Sequence, residues 1–175
     1  MNDEIMLISH SMGSIIAFDV LTFIAPQIRI NTFITMGSPL GLPVVISKIA
    51  SEQKHRRSDT YSMTTPPGII KAWNNFSDIL DKVAFDYKLS ENFSENTSGV
   101  KPADFLVVNN YEMNGIPNPH KSYGYLRTTE FSKVLNDFIL AEKLTILEKV
   151  KRKIQQIFNN WKLKRQSSKR EDIPE

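Results

Sequence analysis

Glu4-Ile5-Met6-Leu7-Ile8-Ser9-His10-Ser11-Met12-Gly13-Ser14-Ile15-Ile16-Ala17-Phe18-Asp19 changes character once, and that change decides how the chain is read. Glu4 to Ile8 is a short, mostly apolar run, which suits a buried strand. Ser9 to Gly13 is small and polar, which suits a tight turn. Ser14 to Ile24 is apolar on most sides, with Asp19 as its one charge, and Pro26 lies just beyond. A buried helix stopped by a proline fits. The turn departs by one residue from G-x-S-x-G, the strand-to-helix elbow that exposes a nucleophilic serine. Ser9 and Gly13 are small where strand and helix backbones are expected to approach. The alternative is that Ser9, Ser11 and Ser14 are helix caps. The apolar run before the turn and the apolar helix after it favour the nucleophile.

Outward from the elbow, Asn31 to Met36 reads as a second buried strand, closed by Gly37-Ser38-Pro39. Residues 51 to 68 are polar and turn-rich, with His55-Arg56-Arg57 and Pro66-Pro67-Gly68, and read as a loop or lid. Ile69 to Phe76 is a third strand, 86 to 103 a polar connection, and Phe105 to Asn109 a fourth strand. Asn114 to His120 is a turn-rich loop, and Thr128 to about Lys164 is helical. Short apolar strands without clean alternation belong to a sheet covered on both faces. The expected fold class is α/β, with mostly parallel strands and helices on both sides.

These residues resemble the α/β-hydrolase family. Ile5 to Leu21 is similar to that family's nucleophile strand, elbow and adjoining helix. Thr32-Phe33-Ile34-Thr35-Met36-Gly37-Ser38-Pro39-Leu40-Gly41 is similar to the next strand of lipase-like members, which ends in G-S-P-L-G. The closest resemblance is to DDHD-type phospholipases, and it covers residues 4 to 140. Ser9 stands where the family has its first glycine. The resemblance implies serine, acid and histidine in that chain order, acting on carboxylic or lipid esters. Ser11 is then the nucleophile, and Met12 supplies a backbone N–H to the oxyanion hole. His120 is the base, because it comes after the last strand and opens an H-x-x-Y segment with Tyr123. His10 would point away from the Ser11 hydroxyl, and His55 precedes the acid. Asp81 is the favoured acid, since Asp81-Lys82-Val83-Ala84 resembles the family's D-P-V-A with lysine replacing proline. Asp78 is the second candidate and Asp104 a weaker third. Leu40, Leu42, Val44 and Val45 would line an acyl pocket or belong to the core.

The nucleophile strand begins about five residues from Met1. The resemblance therefore implies the C-terminal half of an α/β-hydrolase sheet, without the loop that carries the second oxyanion donor. One expectation is a fragment of a longer serine hydrolase, or one completed by another chain. The other is a catalytically inactive remnant or interaction module.

Composition narrows the rest. The chain has 175 residues, 41% of them hydrophobic and 23% charged, enough for one cored domain. It has no cysteine and three histidines, so disulfides, thiolate chemistry and a histidine-built metal site are not expected, and no cofactor is implied. Phosphate-cradling and nucleic-acid signatures are absent. With no membrane-length apolar run and no signal-like N-terminus, the expected location is cytoplasmic, peripheral to membranes. Residues 143 to 170 hold ten Lys or Arg and one acid, Glu148. Leu140, Leu144, Leu147, Val150, Ile154, Ile157 or Phe158, and Trp161 recur at three- and four-residue spacing. The expected division is a partial hydrolase domain at 1–140, then a basic amphipathic helix with a disordered end at 141–175. Residues 149–170 are expected to bind anionic membrane surfaces.

Overall fold

The structure is a computed structural model that describes residues 4–56, 63–84 and 86–168. In chain order its elements are β1 (Met6–His10), α1 (Met12–Asp19), β2 (Ile30–Met36), α2 (Pro43–Arg56), β3 (Met63–Thr64) and β4 (Ile69–Ser77). Then come α3 (Leu89–Asn92), β5 (Phe93–Ser94), β6 (Pro102–Leu106), β7 (Glu112–Met113), β8 (Ile116–Pro117), α4 (Ser122–Leu126) and α5 (Thr129–Ser168). The chain divides into two compact units, Met1–Val134 and Leu135–Glu175. The first holds the sheets, and the second holds the greater part of α5.

The central sheet has four strands in the order β1-β2-β4-β6, every neighbouring pair parallel. The molecule is thus mixed α/β with a parallel sheet. Pairing sets which side chains share a face. Phe33 lies beside Trp73 and Thr35 beside Asn75, while Met36 lies beside Phe76 on the opposite face. The first face packs on Phe18 of α1, Ile49 of α2, Leu89 of α3 and Phe93 of β5, all buried. Trp73 sits at the centre, with ring centroids 5.4 Å from Phe33, 6.1 Å from Phe18 and 5.1 Å from Phe93. Such pairs each add about 0.5–1.5 kcal/mol beyond area burial. On the other face Phe76 meets Phe105 at 4.9 Å and Phe131, in the first turn of α5, at 5.8 Å. Helical segments therefore cover both faces, which is why the strands are apolar without alternating.

Polar groups inside the first face are paired. Thr35 donates to Asn75 Oδ1 at 2.8 Å and accepts from the Trp73 indole at 3.2 Å. The Asn75 amide donates to Asp104 Oδ1 at 3.0 Å, and Asp104 also accepts from the backbone N–H of Leu89 and Ser90. Asp104 thus anchors α3 to β6.

The structure differs from the sequence reading in several places. The fourth strand is Pro102–Leu106, three residues earlier than expected, because Asp104 and Phe105 pair with Asn75 and Phe76. Residues 51–56 continue α2, whose Val45, Ile46, Ile49 and Ala50 pack on the core. Residues 57–62 of the expected lid, and 169–175 of the tail, lie outside the described residues. Leu40 is fully buried and Val45 packs on the core, while Val44 faces solvent, so these do not share a pocket wall.

Candidate active site

The site stands at the C-terminal ends of the parallel strands and is assembled from four connections. The first is the turn between β1 and α1. Ser11 takes φ 56° and ψ −134°, a left-handed backbone that costs a non-glycine residue about 1–3 kcal/mol. Its surroundings hold that conformation. The Ser11 N–H donates to the Met36 carbonyl at 3.0 Å. The Ser11 carbonyl accepts from both the N–H of Ser14, at 2.9 Å, and its hydroxyl, at 2.6 Å. Ser14 and Ser38 share a buried hydroxyl–hydroxyl bond of 2.7 Å. The Ser9 hydroxyl is tied to the Ile34 carbonyl at 3.1 Å. Of the three serines that could have been caps, Ser14 thus braces Ser11, and Ser9 ties β1 to β2. None makes a side-chain cap on α1, and the caps reading is replaced on that account. A Cβ built at Gly13 meets nothing within 4 Å, so among the described residues smallness is not enforced there.

The second connection leaves β4. Asp78 and Asp81 are both buried, and they do different things. Asp81 accepts the Val83 N–H at 2.9 Å and the Tyr125 hydroxyl at 2.7 Å, and both its oxygens face His120 Nδ1, at 3.0 and 2.9 Å. Asp78 accepts the N–H of Leu80 on one oxygen and of Asn109 on the other, which joins the loops after β4 and β6. Asp104, in the α3 anchor, bonds elsewhere.

The third connection, between β8 and α4, carries His120. Its Nε2 lies 2.9 Å from Ser11 Oγ. An ionised carboxylate only accepts, so Nδ1 carries the proton and Nε2 presents its lone pair to the serine hydroxyl. The His120 side chain is 31% exposed, whereas that of Asp81 is 0% exposed. Incoming molecules therefore reach the imidazole edge and the serine but not the acid.

Four residues to which sequence reasoning gave no role in the relay support it. The Asn109 amide donates to the carbonyls of Pro119, at 2.6 Å, and Lys121, at 2.9 Å, gripping the chain on both sides of His120. Tyr125 donates to Asp81 and accepts the Asp78 N–H at 3.1 Å. Burial, and next the bond to Asp81, push its phenol well above the ordinary range, so it remains a donor. The tyrosine that reaches Asp81 is thus Tyr125, whereas Tyr123 of the H-x-x-Y segment is exposed. His10 Nε2–H donates to the His120 carbonyl at 2.7 Å, and the two rings lie 4.7 Å apart. Burial, the largest cause, lowers the His10 pKa, so this ring is neutral at pH 7.

Gly37, in the fourth connection, is the fourth such residue. It has φ +53°, and a Cβ there would stand 2.7 Å from Asp81 Oδ2 and 3.2 Å from His120 Nδ1. Glycine lets β2 end against the acid–base pair. The G-S-P-L-G segment carried this signal, but its contact partner lies far along the chain.

α1 begins at Met12, so its first N–H groups have no partner within the helix and point toward the Ser11 side of the turn. Among the described residues no group of three or more His, Asp or Glu is placed to hold a metal. Comparison with protein-family models, with curated proteins and with solved structures finds no match.

Proposed function

We propose that the chain is a serine hydrolase of carboxylic esters, lipid esters included, on the C-terminal half of an α/β-hydrolase-type sheet. The observation that carries this reading is the continuous hydrogen-bonded relay from Ser11 Oγ through His120 to Asp81, with Ser11 on a strained strand-to-helix turn. The strand order and the chain order serine–acid–histidine support it.

In this reading Ser11 Oγ attacks the ester carbonyl carbon while its proton passes to His120 Nε2. The carbonyl π pair moves to oxygen, and the oxyanion faces the N–H of Met12. Asp81 stabilises the imidazolium. His120 then gives its proton to the departing alkoxide as the C–O bond breaks, leaving an acyl-Ser11 ester and a free alcohol. Water, deprotonated by His120, repeats the sequence and releases the acid. Among the described residues β1 is an edge strand of the sheet. A second oxyanion donor would come from a polypeptide paired along that edge.

A fluorophosphonate probe combined with peptide mass analysis tests the reading. An adduct on Ser11 that is lost in Ser11→Ala supports it. No adduct, or one on another residue, overturns it in favour of a non-catalytic interaction module.

A further inference from the structure

Between Ile146 and Phe158, α5 turns a row of apolar side chains to solvent. Ile146, Leu147, Val150, Ile154, Ile157 and Phe158 are all exposed, between 48% and 65%. At 3.6 residues per turn they occupy one arc about 120° wide. Lys151 and Lys153, both exposed, fall about 20° outside its two borders, one on each side. Lys149 and Arg152 precede and separate them, and Glu148 is the one acid between residues 143 and 170.

We propose that this face of α5 docks on an anionic lipid surface. Charge complementarity selects that occupant. A second copy seated on the stripe would bring Lys151 and Lys153 of both chains along one seam. Glu148, about 140° from the centre of the stripe, could not neutralise them. The arc is also wider than the narrow seam of a two-stranded coiled coil. A bilayer interface fits both features. The apolar arc enters the headgroup boundary, and flanking lysines lay their methylene stems along it while their ammonium groups meet lipid phosphates and carboxylates. Among the described residues no helix is long and apolar enough to cross a membrane, so the helix would lie in the interface. This inference does not depend on the hydrolase reading.

The full chain is sedimented with vesicles of phosphatidylcholine alone and of phosphatidylcholine with phosphatidylserine. Binding to the anionic vesicles only, weakened by salt, is expected. The double variant Lys151→Gln, Lys153→Gln should bind about 25-fold more weakly, each cation contributing about fivefold. Ile154→Ser with Ile157→Ser should lose at least about tenfold. Circular dichroism checks that each variant retains its helix content. No binding, binding indifferent to lipid charge, or binding unchanged in both double variants overturns the proposal. So does a vesicle-free dimer that Ile154→Ser with Ile157→Ser converts to monomer, since the stripe is then a contact between copies.

Discussion

The loops around Ser11 and the exposed face of α5 solve the placement of side chains in opposite ways. Around Ser11 each polar group has a partner at a set distance. Asp81 answers to Val83, Tyr125 and His120, and the His120 loop is held by Asn109 on two carbonyls. That density of bonds keeps Ser11 at a left-handed φ it would not otherwise adopt. Along α5 from Ile146 to Phe158 the helix is regular and its apolar arc stands exposed. The first region is finished internally and its chemistry is a matter of geometry. The second is regular in itself, and its apolar arc faces solvent.

The largest effect is expected at Ser11. Ser11→Ala is expected to lower turnover of a p-nitrophenyl acyl ester by at least about 10⁴-fold. The melting temperature should hold, because the bonds that fix the turn there are main-chain bonds of residue 11. Vesicle binding should also be unchanged, which would separate the two regions in one variant.

The two aspartates sharpen the contrast within the first region. Asp81→Asn should cost about 10⁴-fold in turnover, since the amide no longer stabilises the imidazolium and favours the other histidine tautomer. Asp78→Asn should cost about tenfold or less in turnover. Its amide nitrogen would face a backbone N–H that now has no acceptor, so it should instead lose about 1–3 kcal/mol of stability. Steady-state rates and urea midpoints on both variants check this, and a larger rate loss at position 78 would exchange the roles.

Gly37→Ala should act on the same relay from the backbone side. The new methyl must displace Asp81 or His120 from a backbone that already sits at φ +53°. A shift of about an ångström in the relay costs on the order of 10²-fold in kcat, measurable without loss of fold.

The smallest effect is on pH dependence. The His10 pKa is lowered in the folded protein, so between that value and about 6.5 the unfolded chain binds more protons. Stability from a neutral His10 is fully present above about pH 6.5 and falls as pH drops toward the folded value. Unfolding free energies at pH 7.5 and 5.5 should show a smaller acid loss in His10→Gln than in the wild type. Equal losses would mean that His10 is not held neutral.

By itself the sequence determined what is local. The strand–turn–helix around Ser11, the strands at Ile30–Met36 and Ile69–Ser77, and the length of α5 arise from apolar periodicity and from Pro and Gly breaks. Those signals act between residues a few positions apart. Only the tertiary structure decided which aspartate faces His120, for Asp78 and Asp81 both come after β4 and both can make a local turn. The choice is made by Tyr125 and Asn109, which are 44 residues beyond Asp81 and 31 beyond Asp78 and arrive through the loops after β6 and the start of α4. The exact place of the fourth strand is of the same kind, since its bounds are set by pairing with Asn75 and Phe76 and not by its own apolar run. A parallel sheet joins residues tens of positions apart through backbone ladders, and a side chain's partners across it depend on a register that no single segment encodes.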